Sequence, residues 1–303
     1  MTITILLDIQ TYLFNGGRKI EVITTIDEMQ KRADGWRQSG KTIVFVPTMG
    51  FLHEGHLALM RRGREYGDIL VISIFVNPTQ FGPQEDFETY PRDFERDRRL
   101  AESVGVDVIF APQNDEMYGE RFQTYVSLEE LPQHLCGLSR PNHFRGVATI
   151  VSKLFNIVKP HVSIFGEKDY QQLVIIRQMV RDLNFDIRIV GAPTVREPDG
   201  LAMSSRNNYL SPEERRSASV LFQSLKLAQK SVAEGERDAR KLINAASAHI
   251  KSVPHTQIDY VTICDPETLD DVDQIGGPVL MALAVKVGKT RLIDNTILKP
   301  KGN

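Results

Sequence analysis

Cysteine is scarce in this chain: two residues in 303, Cys136 and Cys264. That argues against a disulfide scaffold and for a reducing compartment. With no Cys-x-x-Cys pair and no His-Glu-x-x-His run, the ligand spacings of a zinc site are missing too. An excess of charge is also lacking, the formal net charge being −2, so no basic footprint for nucleic acid is expected. No apolar run approaches the roughly 18 residues that span a bilayer. Met1–Asp8 has neither the basic start nor the small-residue cleavage site of a signal peptide. A soluble, cytoplasmic protein with no membrane partner is the expectation. Internal repeats and low-complexity tracts are absent as well.

What is present is a composition 41% hydrophobic, enough for a large core and two domains. The apolar run Thr42–Val46 reads as a buried parallel strand, and Leu57–Arg62 as a helix. Between them lies Pro47-Thr48-Met49-Gly50-Phe51-Leu52-His53-Glu54-Gly55-His56. A helix start at the carboxyl end of a strand favours an anion, through free N–H groups and the helix dipole. His53 and His56, three apart, share a face there. Two imidazoles beside a phosphate-binding helix start is the functional reading, against a cap or surface histidine as the plain one. Gly35-Trp36-Arg37-Gln38-Ser39-Gly40-Lys41-Thr42 matches the phosphate-loop pattern letter for letter. It follows a helix, Ile26–Ser39, and precedes a strand, the reverse of the order such a loop needs, and is discarded.

The pattern repeats downstream. Ile69–Phe75 reads as a strand ending in the turn Val76–Gly82, where Asn77 and Gln80 could bond a substrate or merely build the turn. Asp86–Asp97 is acid-rich and leads into a helix; Asp93, Glu95 and Asp97 could approach a hard cation or form a solvated face. Val106–Pro112 is a further strand. Ser139–Gly146 is a loop with two arginines and a histidine, and Val147–Val158 a buried helix. The strand Val162–Phe165 opens into Gly166-Glu167-Lys168-Asp169-Tyr170-Gln171-Gln172, a helix to about Leu183 and the strand Asp186–Val190. Lys168 on phosphate and Asp169 on ribose suit a nucleotide; a mutual surface ion pair is the alternative. In Arg196–Leu210, the hydroxyls of Ser204 and Ser205 with Arg206 can wrap a polyphosphate, although a plain linker would look similar. Ser211-Pro212-Glu213-Glu214 is a capping box with proline at the first helical position. Helices Pro212 to about Ala233 and Asp238 to about Ile250 follow, then strands Ile258–Ile263, Val279–Val285 and Thr290–Asp294. The shift from alternating βα units to helices then strands sets a domain boundary near residue 194, giving 1–194 and 195–303. Residues 1–18 carry a weak apolar pattern compatible with an edge strand, a disordered lead or a non-native extension.

Together these segments closely resemble the pantothenate synthetase (pantoate–β-alanine ligase) family of HIGH-type nucleotidyltransferases. The resemblance runs from about Ile20 to Pro300. It rests on Pro47–Gly50, His53–His56, Phe75–Gly82, Tyr90–Arg92, Arg140–Val147, Phe165–Gln172 and Gly200–Asn207. The Gly-Glu-Lys-Asp-Tyr-Gln-Gln run paired with Met-Ser-Ser-Arg is its most specific part. It implies an α/β fold, a Rossmann-like parallel sheet domain with a smaller C-terminal α+β lid, and commonly a homodimer. It also implies that ATP, with Mg²⁺, and (R)-pantoate form pantoyl adenylate and pyrophosphate, after which β-alanine yields pantothenate and AMP. Carried over, His53 and His56 contact the triphosphate, with Pro47, Thr48, Met49 and Met203 lining the ATP site. Lys168 bridges phosphate and pantoate, Gly166 and Asp169 hold ribose, and Ser204, Ser205 and Arg206 close on the β- and γ-phosphates. Gln80 and Gln172, with Asn77 and Met49, hold pantoate, and Asp97 stands near the metal. Arg96 stands where another acid can occur; Thr79, Asn208 and the first 18 residues also depart from the pattern. A cytidylyltransferase or tRNA-ligase relative, or a nucleotide-binding regulator without turnover, are the rival readings.

Overall fold

The computed structural model describes residues 20–83 and 85–300; the expectations for residues 1–18 lie outside them. Six strands, β1 (Glu21–Ile23), β2 (Ile43–Thr48), β3 (Ile69–Ile74), β4 (Val108–Phe110), β5 (Val162–Gly166) and β6 (Arg188–Ala192), form one sheet in the order β1-β4-β3-β2-β5-β6. Every pairing in it is parallel. The helices α1 (Ile26–Gln38), α2 (Glu54–Arg64), α3 (Phe94–Ser103), α4 (Asn114–Met117), α5 (Leu135–Ser139), α6 (His143–Val158) and α7 (Tyr170–Asp182) lie between the strands in sequence.

Alternation along the strands divides the interior. Ile43 and Phe45 of β2 join Met29 of α1, Ala148 of α6 and Leu173 of α7 in one core. Val44 and Val46, facing the other way, join Met60 of α2 and Ala101 of α3 in another. Both faces of the sheet are therefore dry, and this is why its strands read as unbroken apolar runs. From β2 the chain runs outward through β3 to β4, then crosses to β5 and β6 on the other side. The order reverses between β2 and β5, where Val44 pairs with Val162 and Phe45 with Ser163. Such a reversal opens a crevice beyond the carboxyl ends of the two strands.

The remainder of the chain supplies α8 (Pro212–Ala218), α9 (Val220–Ala233), α10 (Ala239–Lys251) and an antiparallel sheet of β7 (Thr256–Cys264), β8 (Val279–Val287) and β9 (Thr290–Leu298). In β8, Met281, Leu283 and Val285 pack with the helices, while Leu280 and Ala282 face the core of the parallel sheet. The central strand β8 is thus buried on both faces along nearly its whole length.

Several expectations shift. β1 was not foreseen: three residues are too few for a periodicity signal. The expected helix Pro212–Ala233 divides at Ser219 into α8 and α9, although the capping box forms as read, with Ser211 accepting from the Glu214 amide. α6 begins at His143, not Val147, because Asn142 takes a left-handed conformation (φ 67°) and turns the chain into the helix one turn early. The discarded phosphate-loop match is indeed the end of α1 and its turn, Gly40 at φ 71° leading into β2. Among the described residues no helix is long and apolar enough to cross a membrane.

Candidate active site

A cavity of about 260 Å³ occupies the crevice and is walled by His53, His56, Lys168, Ser204 and Arg206. Pro47, Thr48, Met49, Gln80, Gly166, Asp169, Gln172, Met203 and Ser205 line it as well. Three separate stretches, after β2, after β5 and after β6, therefore converge on one space.

On the β2 side the backbone is held tightly. Gly50 has φ 82°, and a Cβ there would stand 2.9 Å from Ile74 Cγ2 and 3.0 Å from Asp97 Oδ2. Phe51 also has positive φ, 48°. Both amides that follow this turn are caught by one carboxylate: Phe51 N–H and Leu52 N–H each donate to Asp97, at 2.7 Å. Asp97 is only 1% exposed. Its two oxygens thus shape the loop, one amide on each. Asp93 caps α3 through the Arg96 amide, and Glu95 pairs with Arg98 at 3.2 Å. The acid-rich stretch is thus a cap, an ion pair and an anchor, and among the described residues no three His, Cys, Asp or Glu groups converge as metal ligands.

His53 ends the loop as the N-cap of α2, and its amide donates to His56 Nδ1 at 3.2 Å. Neutral His56 therefore carries its proton on Nε2. The rings lie 4.0 Å apart between centroids. Burial, then Lys168 and Arg96, pushes His53 down to about 4; burial, then His53, drives His56 well below its ordinary value. Both are neutral imidazoles at pH 7. Gly55 leaves the space that His53 needs, since a Cβ there would meet its Cε1 at 2.8 Å.

On the β5 side, Lys168 Nζ donates to the Met203 carbonyl at 2.9 Å rather than closing a surface ion pair with Asp169. Burial lowers its pKa, opposed by Asp169 and Asp294. Its turn is fixed from the far end of the chain, because Asn295 Nδ2 donates to the Glu167 and Lys168 carbonyls at 2.9 and 2.8 Å. No sequence signal links Asn295 to that turn.

The glutamine wall has an internal scaffold. Asn77 is 1% exposed; its Nδ2 donates to Gln80 Oε1 and the Gly146 carbonyl, and its Oδ1 accepts from Tyr118 and Thr79. Asn77 lines the cavity and also braces Gln80 through its side-chain amide. Gln80 Nε2 reaches Met49 Sδ at 3.0 Å. Gly146 makes the approach of α6 possible, since a Cβ would fall 2.4 Å from the Thr79 carbonyl oxygen.

Across the cavity stand two arginines held by neighbouring acids. Arg140 grips Glu85 with two contacts of 2.6 Å and donates to His143 Nε2 at 3.0 Å. His143 Nδ1–H then reaches the Gln80 carbonyl at 2.8 Å. Burial and Arg140 push His143 down to about 3. Arg206 grips Asp86 at 2.8 and 3.1 Å, while Ser204 caps the short turn Ser205–Tyr209. These acid partners were missed in the sequence, where Asp86 and Arg206 stand 120 residues apart.

The family profile of pantoate-beta-alanine ligase matches residues 21–297. The chain is 63% identical over 281 residues to the pantothenate synthetase of Desulfatibacillum aliphaticivorans, covering 93% of this chain and 100% of that one. It is 58% identical over 279 residues to that of Thermotoga petrophila, covering 92% and 100%. Among solved structures it resembles pantothenate synthetase from Thermus thermophilus, with TM-score 0.88, 44% identity and coverage of 93% and 100%. It also resembles the pantoate-beta-alanine ligase of Francisella tularensis, described as complexed with beta-gamma ATP and beta-alanine, with TM-score 0.77, 32% identity and coverage of 93% and 99%.

Proposed function

The chain belongs to the pantoate-beta-alanine ligase family, and we propose that it condenses (R)-pantoate with β-alanine, driven by ATP, through a pantoyl adenylate. The observation that carries this reading is the meeting of His53, His56, Lys168 and Ser204–Arg206 on one cavity at the reversal of the sheet.

In the first step a pantoate carboxylate oxygen attacks the α-phosphorus of ATP and pyrophosphate leaves. In the second, the β-alanine amine attacks the acyl carbon, the bond to AMP breaks, and the amine loses a proton. The carboxylate is already ionised at neutral pH, so the first step needs no general base, only alignment and charge stabilisation. Lys168 supplies the positive charge, and the neutral histidines supply N–H groups at the start of α2. Gly166 and Asp169 take the ribose. Gln80 and Gln172 take the hydroxyls and carboxylate of pantoate, and Val147, Ile150 and Val151 of α6 face its methyl groups. Mg²⁺ arrives with the triphosphate as part of the substrate. Bound there, it would offset the negative charge of the phosphates.

Residues 195–303 act as the lid, with Met203–Arg206 as the strap that closes over ATP, and the enzyme works as a homodimer, which sedimentation equilibrium tests. The decisive experiment for the reaction is exchange of labelled pyrophosphate into ATP. Exchange that requires pantoate and not β-alanine is the expected result. Exchange without pantoate, or none with it, overturns the adenylate.

A further inference from the structure

We propose that Asp294 and Asn295, neighbours on β9, are positioning residues that aim the Lys168 ammonium, one by way of the strap and the other by way of the lysine's own backbone. This rests on the reaction proposed above, in which Lys168 supplies the positive charge, and adds the residues that place it.

Successive side chains of a strand point to opposite faces, so the pair reaches in two directions. Asn295 Nδ2 donates to the Glu167 and Lys168 carbonyls at 2.9 and 2.8 Å, which fixes the base of the lysine side chain. Asp294 is 2% exposed and accepts from Arg196 Nη1 at 2.6 Å and Nη2 at 2.9 Å. The same Nη1 donates to the Gly200 carbonyl at 3.0 Å, and the guanidinium lies 4.5 Å from the centre of the Phe222 ring. Arg196 belongs to a small hairpin: it bridges Ala202, and the Met203 amide returns to the Val195 carbonyl at 3.0 Å. That hairpin ends at Met203, whose carbonyl accepts from Lys168 Nζ at 2.9 Å. The circuit closes on β9, where the Asn295 amide donates to Asp294 Oδ1 at 2.8 Å. Both ends of the lysine are thus referred to two adjacent residues of one strand. Held at one end alone, so flexible a stem would scatter its ammonium over several rotamers.

Asp294 also acts through its charge. Burial lowers Lys168, Asp169 and then Asp294 raise it again, and Arg206 lowers it. His53 and His56, across the cavity on α2, are neutral at pH 7. Burial pushes Asp294 up, and its Arg196 partner opposes that.

The test is single-turnover formation of pantoyl adenylate from ATP and pantoate, with β-alanine absent, run as a double-mutant cycle. Asn295→Ala is expected to slow it by roughly 10- to 100-fold, the loss that follows from misplacement by about 1 Å. In a Lys168→Ala background the same change should cost less than about twofold, because no ammonium is left to aim. An equal fall in both backgrounds marks a merely structural role and overturns the proposal, as does an unchanged rate in Asn295→Ala. Asp294→Asn keeps an acceptor for the Asn295 amide and removes the charge, and it decides the matter if Asn295→Ala does not fold. Its rate should fall off at lower pH than that of the wild type as pH rises, since Lys168 then releases its proton sooner. An alkaline limb that stays in place overturns the proposal. If the wild type forms no adenylate, the underlying reaction and the positioning pair fall together. If it does and the variants behave additively, only the pair falls.

Discussion

The two walls of the cavity are built on opposite plans. On the wall made by β2, β5 and their following helices, His56 is held by the His53 amide and Lys168 by the Met203 carbonyl, while Asp97 braces the loop behind them through the Phe51 and Leu52 amides. On the facing wall, Arg140 and Arg206 are held by carboxylates, Glu85 and Asp86. The first wall sets its groups on backbone anchors, the lysine's own anchor being the Met203 carbonyl at the start of the strap. The second presents cations already paired with acids, so an incoming anion competes with a resident carboxylate for the guanidinium. Preorganised donors give rate, while exchangeable ion pairs give selectivity for a ligand that binds the guanidinium better than the resident acid.

The sharpest break in that contrast removes the charge from the fixed wall. Lys168→Ala is expected to slow adenylate formation by roughly 10²–10³-fold, the usual cost of one lost electrostatic stabiliser, measured in a single turnover with ATP and pantoate. A near-normal rate would mean that the arginine wall carries the charge alone. Gly55→Ala tests whether position rather than charge matters. A Cβ 2.8 Å from His53 Cε1 forces the ring aside, and misplacement of that order costs roughly 10- to 100-fold in rate, with thermal stability retained because alanine favours helix.

Asp86→Asn probes the other wall from the opposite direction. Weakening a partly exposed ion pair releases up to about 1 kcal/mol, so ATP should bind up to roughly fivefold more tightly, read by calorimetry. Tryptic cleavage after Arg206 without ATP should increase, and ATP should suppress it; equal cleavage with and without ATP would show that no closure occurs. The smallest effect at neutral pH is on stability. His53 and His143 sit at about 4 and about 3 when folded, below the roughly 6.5 of an unfolded histidine. The unfolded chain therefore takes up protons first. The stability they allow is complete above about pH 6.5 and lost as pH falls toward those folded values. Urea unfolding of His143→Gln between about pH 4 and 6.5 should show a shallower slope, by up to one proton, about 1.4 kcal/mol per pH unit.

The fixed wall is the half that was legible in the sequence. Its groups lie within a few residues of a strand end and a helix start, where apolar runs and glycines mark the geometry, and His53, His56 and Lys168 could be read as phosphate-facing on that basis. The parallel sheet was legible for the same reason. The facing wall was not, since Glu85 and Arg140 are 55 residues apart and Asp86 and Arg206 120, and no periodicity reports such pairs. The braces that Asp97 and Asn77 supply were not legible either, because a buried polar side chain serving the backbone has the same letters as one serving a ligand. What distinguishes them is the set of amides and carbonyls within reach, which only the fold supplies.

Asn295 lies near the end of β9, yet it fixes the turn carrying Lys168, 127 residues earlier. During synthesis the histidine loop, the lysine turn and the serine–arginine strap all leave the ribosome before the residue that locks the lysine in place. An incomplete chain holds nearly every group that lines the cavity and still lacks the brace of the lysine turn, which can form only once the last strand has been added.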